Sequence, residues 1–183
     1  MRLKSNQTGY VASKIGIDLA NSGFTTMPKG KDAVVKVCKE VIDANLAVEK
    51  KLDAKVEEML EENESEIEIQ RVKERELFFM IKKRLAPEYG VIMNYDDRYN
   101  DVAHTILDEL YENYLLDYKV NDNQVRNVIF KAFKAFSDAY SAMDDIVYNK
   151  IKGMKKEYIP GSMEYELVYE RLYEDELRKR GMI

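Results

Sequence analysis

Apolar residues recur at intervals of three and four in two stretches of the chain, residues 32–63 and 122–152. Of all features of the sequence, this spacing constrains the fold most. Neither stretch contains Pro or Gly. The apolar positions are Val34, Val37, Val41, Ala44, Val48, Leu52, Val56 and Met59 in the first stretch, and Val125, Val128, Ala132, Ala135, Phe136, Ala139, Met143 and Ile146 in the second. Each stretch predicts one helix about 45 Å long. A stripe of that length needs another long helix to cover it, so we expect the two helices to cover each other.

The second half of the sequence repeats the apolar pattern of the first. When residue numbers are raised by 91, Val11-Ala12 falls on Val102-Ala103 and Gly90-Val91-Ile92 falls on Gly181-Met182-Ile183. We therefore predict an all-α fold made by tandem duplication of a three-helix unit, 1–91 and 92–183, packed as one pseudo-two-fold unit. Coincidence between two helical patterns of similar period is the alternative interpretation.

About six helices are expected, with one long helix in each half. The flanking helices are predicted at 5–22, capped by Ser5 or Asn6, and at about 98–116, capped by Asp96 or Asp97. A third helix ends before Pro87, and a last one opens at Ser162; Asn121 and Gln124 resemble a capping box for the second long helix. Short strands are expected in the links near 24–27, 91–93 and 115–118.

The composition of this 183-residue chain is typical of a helical protein, with 45% apolar and 34% charged residues and few Gly or Pro. No apolar run reaches the ~18 residues of a membrane span. The start, Met1-Arg2-Leu3-Lys4, predicts no signal peptide. A single cysteine, Cys38, favours a reducing cytoplasm, and its place on the apolar side of a long helix predicts a buried, unreactive thiol.

The residues needed for common active sites are scarce. A hydrolytic triad needs a histidine, and the only one is His104, for which a packed or surface role is expected. One histidine and one cysteine are too few for a zinc site. No Gly-rich phosphate loop and no calcium loop is present. We predict no catalytic residues, no cofactor and no metal. The acidic run Glu57–Glu68 is typical of a solvated helix end, and an enzyme or metal-binding protein relying on carboxylates is the weakest alternative.

Nucleic-acid binding is the first alternative function. A net charge of −5 argues against broad phosphate contact, although basic residues cluster at Lys150–Lys156 and Arg178–Arg180. The first long helix ends in glutamates and the second in lysines. This asymmetry leads to the hypothesis that opposite charges steer association between the two copies or between molecules head to tail; the alternative is that both ends merely face water.

Tyrosine is abundant, with 13 in all, and recurs every fourth residue on the last helix. Such a stripe suits an interface, but it would equally pack the last helix onto the long ones. We favour a non-catalytic cytoplasmic module or scaffold that binds protein, either itself or another chain. The candidate interaction surface consists of Tyr165, Tyr169, Tyr173, Lys155, Lys156, Arg178, Lys179 and Arg180.

The ending Glu174–Ile183, with Ile159–Ser162 before it, resembles an uncharacterised bacterial family filed as domain of unknown function five hundred and seven. Short members resemble one copy of the repeat, from Met-Arg-Leu to Leu-Arg-Lys-Arg-Gly. Long members resemble the whole chain, including Asp97-Arg98-Tyr99-Asn100. The first half departs from the terminal motif at Lys83–Gly90, so a function residing in that motif would belong to the second half alone. The resemblance implies no activity.

Overall fold

A computed structural model describes residues 3–62, 74–156, 158–160 and 162–183. Within these residues the chain forms six helices and one two-stranded antiparallel ribbon, which confirms the predominantly helical fold. The elements are α1 Thr8–Ala20, β1 Thr25–Thr26, α2 Lys31–Glu62, α3 Glu74–Leu85, α4 Tyr95–Glu112, β2 Asp117–Tyr118, α5 Asp122–Lys152 and α6 Met163–Lys179. The tandem duplication and the division at residue 91 stay predictions.

The two long helices follow their predicted bounds closely. Helix α2 starts directly after Gly30, whose φ of +83° is favourable only for glycine. Helix α5 is capped by Asn121, whose side-chain oxygen accepts a hydrogen bond from the backbone N–H of Gln124 at 3.0 Å. With 32 and 31 residues at 1.5 Å each, the helices are both about 45–50 Å long.

Several predicted boundaries are wrong. Helix α4 starts at Tyr95, because Asn94 rather than Asp96 or Asp97 caps it, accepting from both aspartate amides. Helix α1 is shorter than predicted and Gln7, not Ser5 or Asn6, precedes it. Of the three expected strand segments, 25–26 and 117–118 pair, whereas 91–93 is irregular. The glutamates at 64, 66 and 68 lie outside the described residues.

The long helices are covered mainly by the shorter ones. Helix α2 packs chiefly on α1, α4 and α3, and α5 packs chiefly on α4, α1 and α6. The expectation that each long helix mainly covers the other is therefore wrong. The reason is the width of the short helices' apolar surface: α4 buries Tyr99, Val102, Ala103, Ile106, Leu107 and Leu110, adjacent pairs that present two sides of the helix.

One short ribbon joins the two links. Thr25 pairs with Tyr118 and Thr26 with Asp117, and the backbone N–H of Lys119 donates to the carbonyl of Phe24 at 3.2 Å. The ribbon ties the chain just before α2 to the chain just before α5. The N-terminal ends of both long helices are thereby held near each other.

Close helix packing is clearest between α1 and α2. A Cβ built on Gly16 would lie only 2.6 Å from Cγ2 of Val35, so glycine allows the two backbones to approach. Cys38, on the same side of α2, is fully buried as predicted, and burial raises the pKa of its thiol to about 12. A thiol in this state is a packing group and not a nucleophile.

Candidate interaction surface

A buried ion cluster joins α2, α3 and α4. Nζ of Lys82 lies 3.0 Å from Oε1 of Glu49 and 2.6 Å from Oδ1 of Asp53. Nη1 of Arg98 lies 2.8 Å from Oε2 of Glu49, while its Nε and Nη2 donate to the side-chain and backbone oxygens of Asn45 at 2.7 and 3.1 Å. The charges are therefore compensated within the protein.

The pairing fixes the charge state of this cluster. Burial favours the neutral form of Glu49, but nearby positive charges, among them the ammonium of Lys82 and the guanidinium of Arg98, hold the pKa of Glu49 well below its usual range. Burial likewise opposes the charge on Lys82, yet Asp53 and Glu49 raise its pKa. Glu49 and Lys82 are thus both ionised at neutral pH, and removing one partner would leave an uncompensated buried charge.

The cluster separates two apolar cores. On α2, Val34 to Leu46 belong to the main core, whereas Leu52, Val56 and Leu60 belong to a smaller core with Ala86 and Val91. Glu49 falls between these two runs. Raising the numbers of Glu49 and Lys82 by 91 gives Tyr140 and Tyr173, whose rings contact each other at 5.2 Å between centroids. An ion cluster therefore occupies the positions whose counterparts, 91 residues later, are filled by aromatic rings.

Sequence reasoning missed this cluster because its partners are far apart along the chain. The available signal was local: Glu49 and Lys82 each occupy an inward position among apolar neighbours of an amphipathic helix. A charged residue on an apolar face predicts a buried partner, but it does not identify that partner.

The tyrosine stripe packs α6 onto α5. The rings of Tyr165, Tyr169 and Tyr173 stack in sequence at 6.1 and 5.8 Å, and Tyr173 is buried against Tyr140. The hydroxyl of Tyr169 donates to a carboxylate oxygen of Asp144. Burial, followed by this bond, raises the pKa of Tyr169. Of the two interpretations of the stripe, packing therefore describes Tyr173 and Tyr169, while Tyr165 also reaches a surface cavity.

That cavity, here called the end cavity, lies where α5 ends and α6 begins. It has a volume of about 330 Å³ and is lined by Tyr148, Ile151, Lys152, Met154, Lys156, Tyr158, Ile159, Pro160 and Tyr165. Ile159 is 75% exposed at its rim, and Tyr148 is also exposed. Nζ of Lys156 lies 2.8 Å from Glu164 and 5.2 Å from the ring centre of Tyr158. Lys152 and its neighbour Lys155 face solvent.

The basic residues at the C-terminus lie on the exposed side of α6. Nη2 of Arg178 is 3.5 Å from Glu174, and Nζ of Lys179 is 2.9 Å from Glu176, which also pairs with Lys150. Arg180, directly after the helix, is exposed. Acidic neighbours on the same helix thus neutralise part of this basic group. No contact of the described residues places Arg178, Lys179 or Arg180 around the end cavity.

The opposite charge gathers at the end of α2. Glu57, Glu58, Glu61 and Glu62 are exposed there, and only Glu58 has an ion pair among the described residues, with Lys55 at 2.6 Å. Helix α3 packs on this half of α2 and leaves Phe79 and Met80 exposed by 51% and 62%. We call these six residues, the four glutamates with Phe79 and Met80, the acidic end.

A wider groove of about 740 Å³ runs between α2 and α4. Its floor is aliphatic, with Val37, Val41, Ala44, Val48, Val102 and Leu115, and its rim carries Lys29, Glu40 and Glu109. The rim charges are mixed in sign. His104, on the exposed side of α4, makes only a loose contact with Asp108 at 3.8 Å.

The described residues do not bring three or more His, Cys, Asp or Glu side chains together in an arrangement that could hold a metal ion. In the same part of the chain, no helix is both long enough and apolar enough to cross a bilayer.

The sequence of the chain matches a known protein family along nearly its whole length. The model of a family described as protein of unknown function DUF507 matches residues 1–182. The chain belongs to this family. The resemblance inferred from the terminal motif is thereby confirmed. No curated protein matches this DUF507 chain. The family description assigns no activity, so the function of the DUF507 chain has to be inferred from its own surface.

Proposed function

We propose that this DUF507 chain is a non-catalytic protein-binding module and that the end cavity is its contact surface. The observation that carries the proposal is the combination of tyrosine and aliphatic lining with an exposed isoleucine at the rim and lysines beside it. Aromatic and aliphatic side chains in a concave, partly desolvated setting are the usual anchors of protein interfaces.

The charge around the cavity indicates the charge of the partner that would bind there. Lys152 and Lys155 face solvent next to the cavity, and Lys156 has one carboxylate partner, so the surface favours an acidic segment. The partner we propose is an amphipathic helix that inserts an apolar side chain beside Ile159 and Tyr158 and places carboxylates near the lysines. The cytoplasm is the proposed location, because the chain carries one cysteine and that thiol is buried and reduced.

Duplication of an ancestral three-helix unit is the proposed origin of this architecture. Helices α2 and α5 begin at positions 31 and 122, and Gly90 and Gly181 hold φ values of +66° and +64°, all related by adding 91. In the ribbon, Thr26 pairs with Asp117, its own counterpart under that shift, as a residue on a two-fold axis would. These relationships support the proposal and make the end cavity and the acidic end counterparts.

Binding of a designed acidic peptide tests the proposed function. The probe is a fluorescein-labelled amphipathic helix of about 20 residues with leucines at i, i+3, i+4 and i+7 and glutamates elsewhere. Fluorescence anisotropy should show saturable binding that weakens about 10-fold in the Ile159→Asp variant. The matched control, Leu167→Asp, replaces an exposed apolar residue on α6 that does not line the cavity, and should bind normally.

Equal binding by both variants, or none by the wild type, would overturn the proposal. The same measurement with a labelled duplex DNA distinguishes the nucleic-acid alternative. If DNA binds with a steep salt dependence that is lost in the Lys152→Glu/Lys155→Glu variant, the basic group serves phosphate contact instead.

A further inference from the structure

We infer that one occupant of the end cavity is the acidic end of a second copy of this chain. The inference rests on the proposed function, because it names a partner for the same surface. Its basis is complementarity between two surfaces of one molecule: the residues around the end cavity supply lysines and exposed apolar groups, and the acidic end supplies glutamates and exposed apolar groups.

Within the described residues, several charged side chains at the two ends have no ion-pair partner. On α2, Glu57, Glu61 and Glu62 have no ion pair within the described residues, and the same holds for Lys152 and Lys155. The bonds that the neighbouring lysines do make stay local, with Lys150 on Glu176 and Lys156 on Glu164. Each end therefore retains an excess of one sign, and opposite excesses on separate copies attract.

The apolar groups give the contact its anchors. Phe79 and Met80 are adjacent and exposed on α3, the helix that packs on the half of α2 that carries the glutamates. The cavity of about 330 Å³ is at the small end of ligand pockets and suits one large side chain. We place Phe79 or Met80 of one copy against Ile159 and Tyr158 of the next, with glutamates of α2 beside Lys152 and Lys155.

Such a contact joins two different surfaces and is therefore heterologous. Each copy keeps one unused cavity and one unused acidic end, so association continues into a chain or closes into a ring. This property separates the inference from an ordinary symmetric dimer and provides the test. A variant that has lost only one of its two ends can still occupy one contact.

Sedimentation velocity on the wild type, on two variants and on a mixture of those variants tests the arrangement. The wild-type chain should form species that grow with concentration and shrink when salt is raised from about 50 to about 500 mM. The Lys152→Glu/Lys155→Glu variant, which reverses the charge beside the cavity, and the Phe79→Ser/Met80→Ser variant, which removes the exposed apolar anchors of the acidic end, should each be monomeric alone. Mixed in equal amounts they should form a dimer and nothing larger, because one intact cavity and one intact acidic end pair, while the altered cavity and the altered acidic end both carry negative charge and repel each other.

The matched control for Lys152→Glu/Lys155→Glu is Lys119→Glu/Lys131→Glu, which makes the same change in net charge at two exposed lysines elsewhere and should associate like the wild type. A monomeric wild type at every concentration, or a mixture of the two variants that stays monomeric, overturns the inference. If the designed peptide still binds in that case, the proposed function stands without self-association. Loss of both results removes the end cavity as a contact surface.

Discussion

Gly23 and Tyr114 lie 91 positions apart, and both hold a left-handed backbone conformation, with φ of +78° and +53°. Each follows the first helix of its half and turns the chain toward the ribbon. Tyr114 is the one non-glycine residue with positive φ in the described part of the chain, and its side chain is exposed. The two turns thus share a left-handed backbone residue although the residue types differ.

The first prediction concerns this turn. Gly23→Ala should lower the free energy of unfolding by about 1 kcal/mol, because an L side chain is strained at that φ. Tyr114→Gly should leave stability unchanged or raise it by up to about 1 kcal/mol, since relief of strain is offset by the entropy of glycine in the unfolded chain. Urea unfolding followed by circular dichroism measures both. A stabilising effect of Gly23→Ala together with a destabilising effect of Tyr114→Gly would contradict the backbone explanation.

The second prediction concerns the approach of α1 to α2. Gly16→Ala should destabilise the protein by about 1–3 kcal/mol, because the new methyl group meets Val35 at 2.6 Å. Adding Val35→Ala should remove the overlap and recover part of that loss. Gly9→Ala is the control: it lies in the same helix with open space around it and should stabilise by about 0.5–1 kcal/mol. If the two glycines respond alike, close packing is not the cause.

The third prediction concerns the buried ion cluster. Lys82→Met should lower the free energy of unfolding by about 3–5 kcal/mol, because Glu49 and Asp53 lose their shared partner. Lys83→Met, at the exposed neighbouring position of α3, should change it by less than about 0.5 kcal/mol. Denaturant midpoints of both variants provide the comparison. A mild effect of Lys82→Met would mean that water replaces the ammonium.

The fourth prediction is a pH dependence. The pKa of Glu49 is lowered in the folded protein, so its contribution to stability is present above the unfolded pKa of about 4.3 and is lost as pH falls through the folded value. The wild type should therefore exceed Glu49→Gln in stability at pH 7, and the difference should shrink steadily between about pH 5 and pH 2. Urea midpoints across this range measure it. A constant difference would show that Glu49 titrates normally.

The fifth prediction uses the buried thiol. Because burial raises the pKa of Cys38 to about 12, a disulfide reagent should react with the native protein at least about 100-fold more slowly than with the unfolded chain. Ser13→Cys places a second thiol at an exposed position of α1, and one equivalent should then react rapidly. Rapid labelling of the unsubstituted protein would place Cys38 near the surface.

Local spacing was enough to predict the helices, because an amphipathic helix records its own period in the sequence. The bounds of α2 and α5 and the Asn121 cap follow from neighbours at most four residues apart. The start of α4 was missed because three polar residues lie close together there, Asn94, Asp96 and Asp97. Each could serve as the cap, and only the geometry of the fold selects Asn94.

The spacing of apolar residues could not predict which residues distant in the sequence meet in the fold. In the sequence, the Tyr165–Tyr173 stripe fits a buried or an exposed face equally well. In the fold, Tyr173 packs on Tyr140 and Tyr169 bonds to Asp144, whereas Tyr165 lines the end cavity. The pairing of Lys82 with Glu49 crosses 33 residues, and that of Arg98 with Asn45 crosses 53. A sequence reveals that such charges sit on apolar faces, but the fold determines which of them meet.

The ionic layer between the two apolar cores has a consequence for how the molecule comes apart. Apolar packing along α2 is interrupted at Glu49. Helix α3 and the outer half of α2 can therefore open as a separate cooperative unit while the larger core stays closed. Acid or high ionic strength should loosen that unit first, and its amide protons should exchange earlier than those of α1.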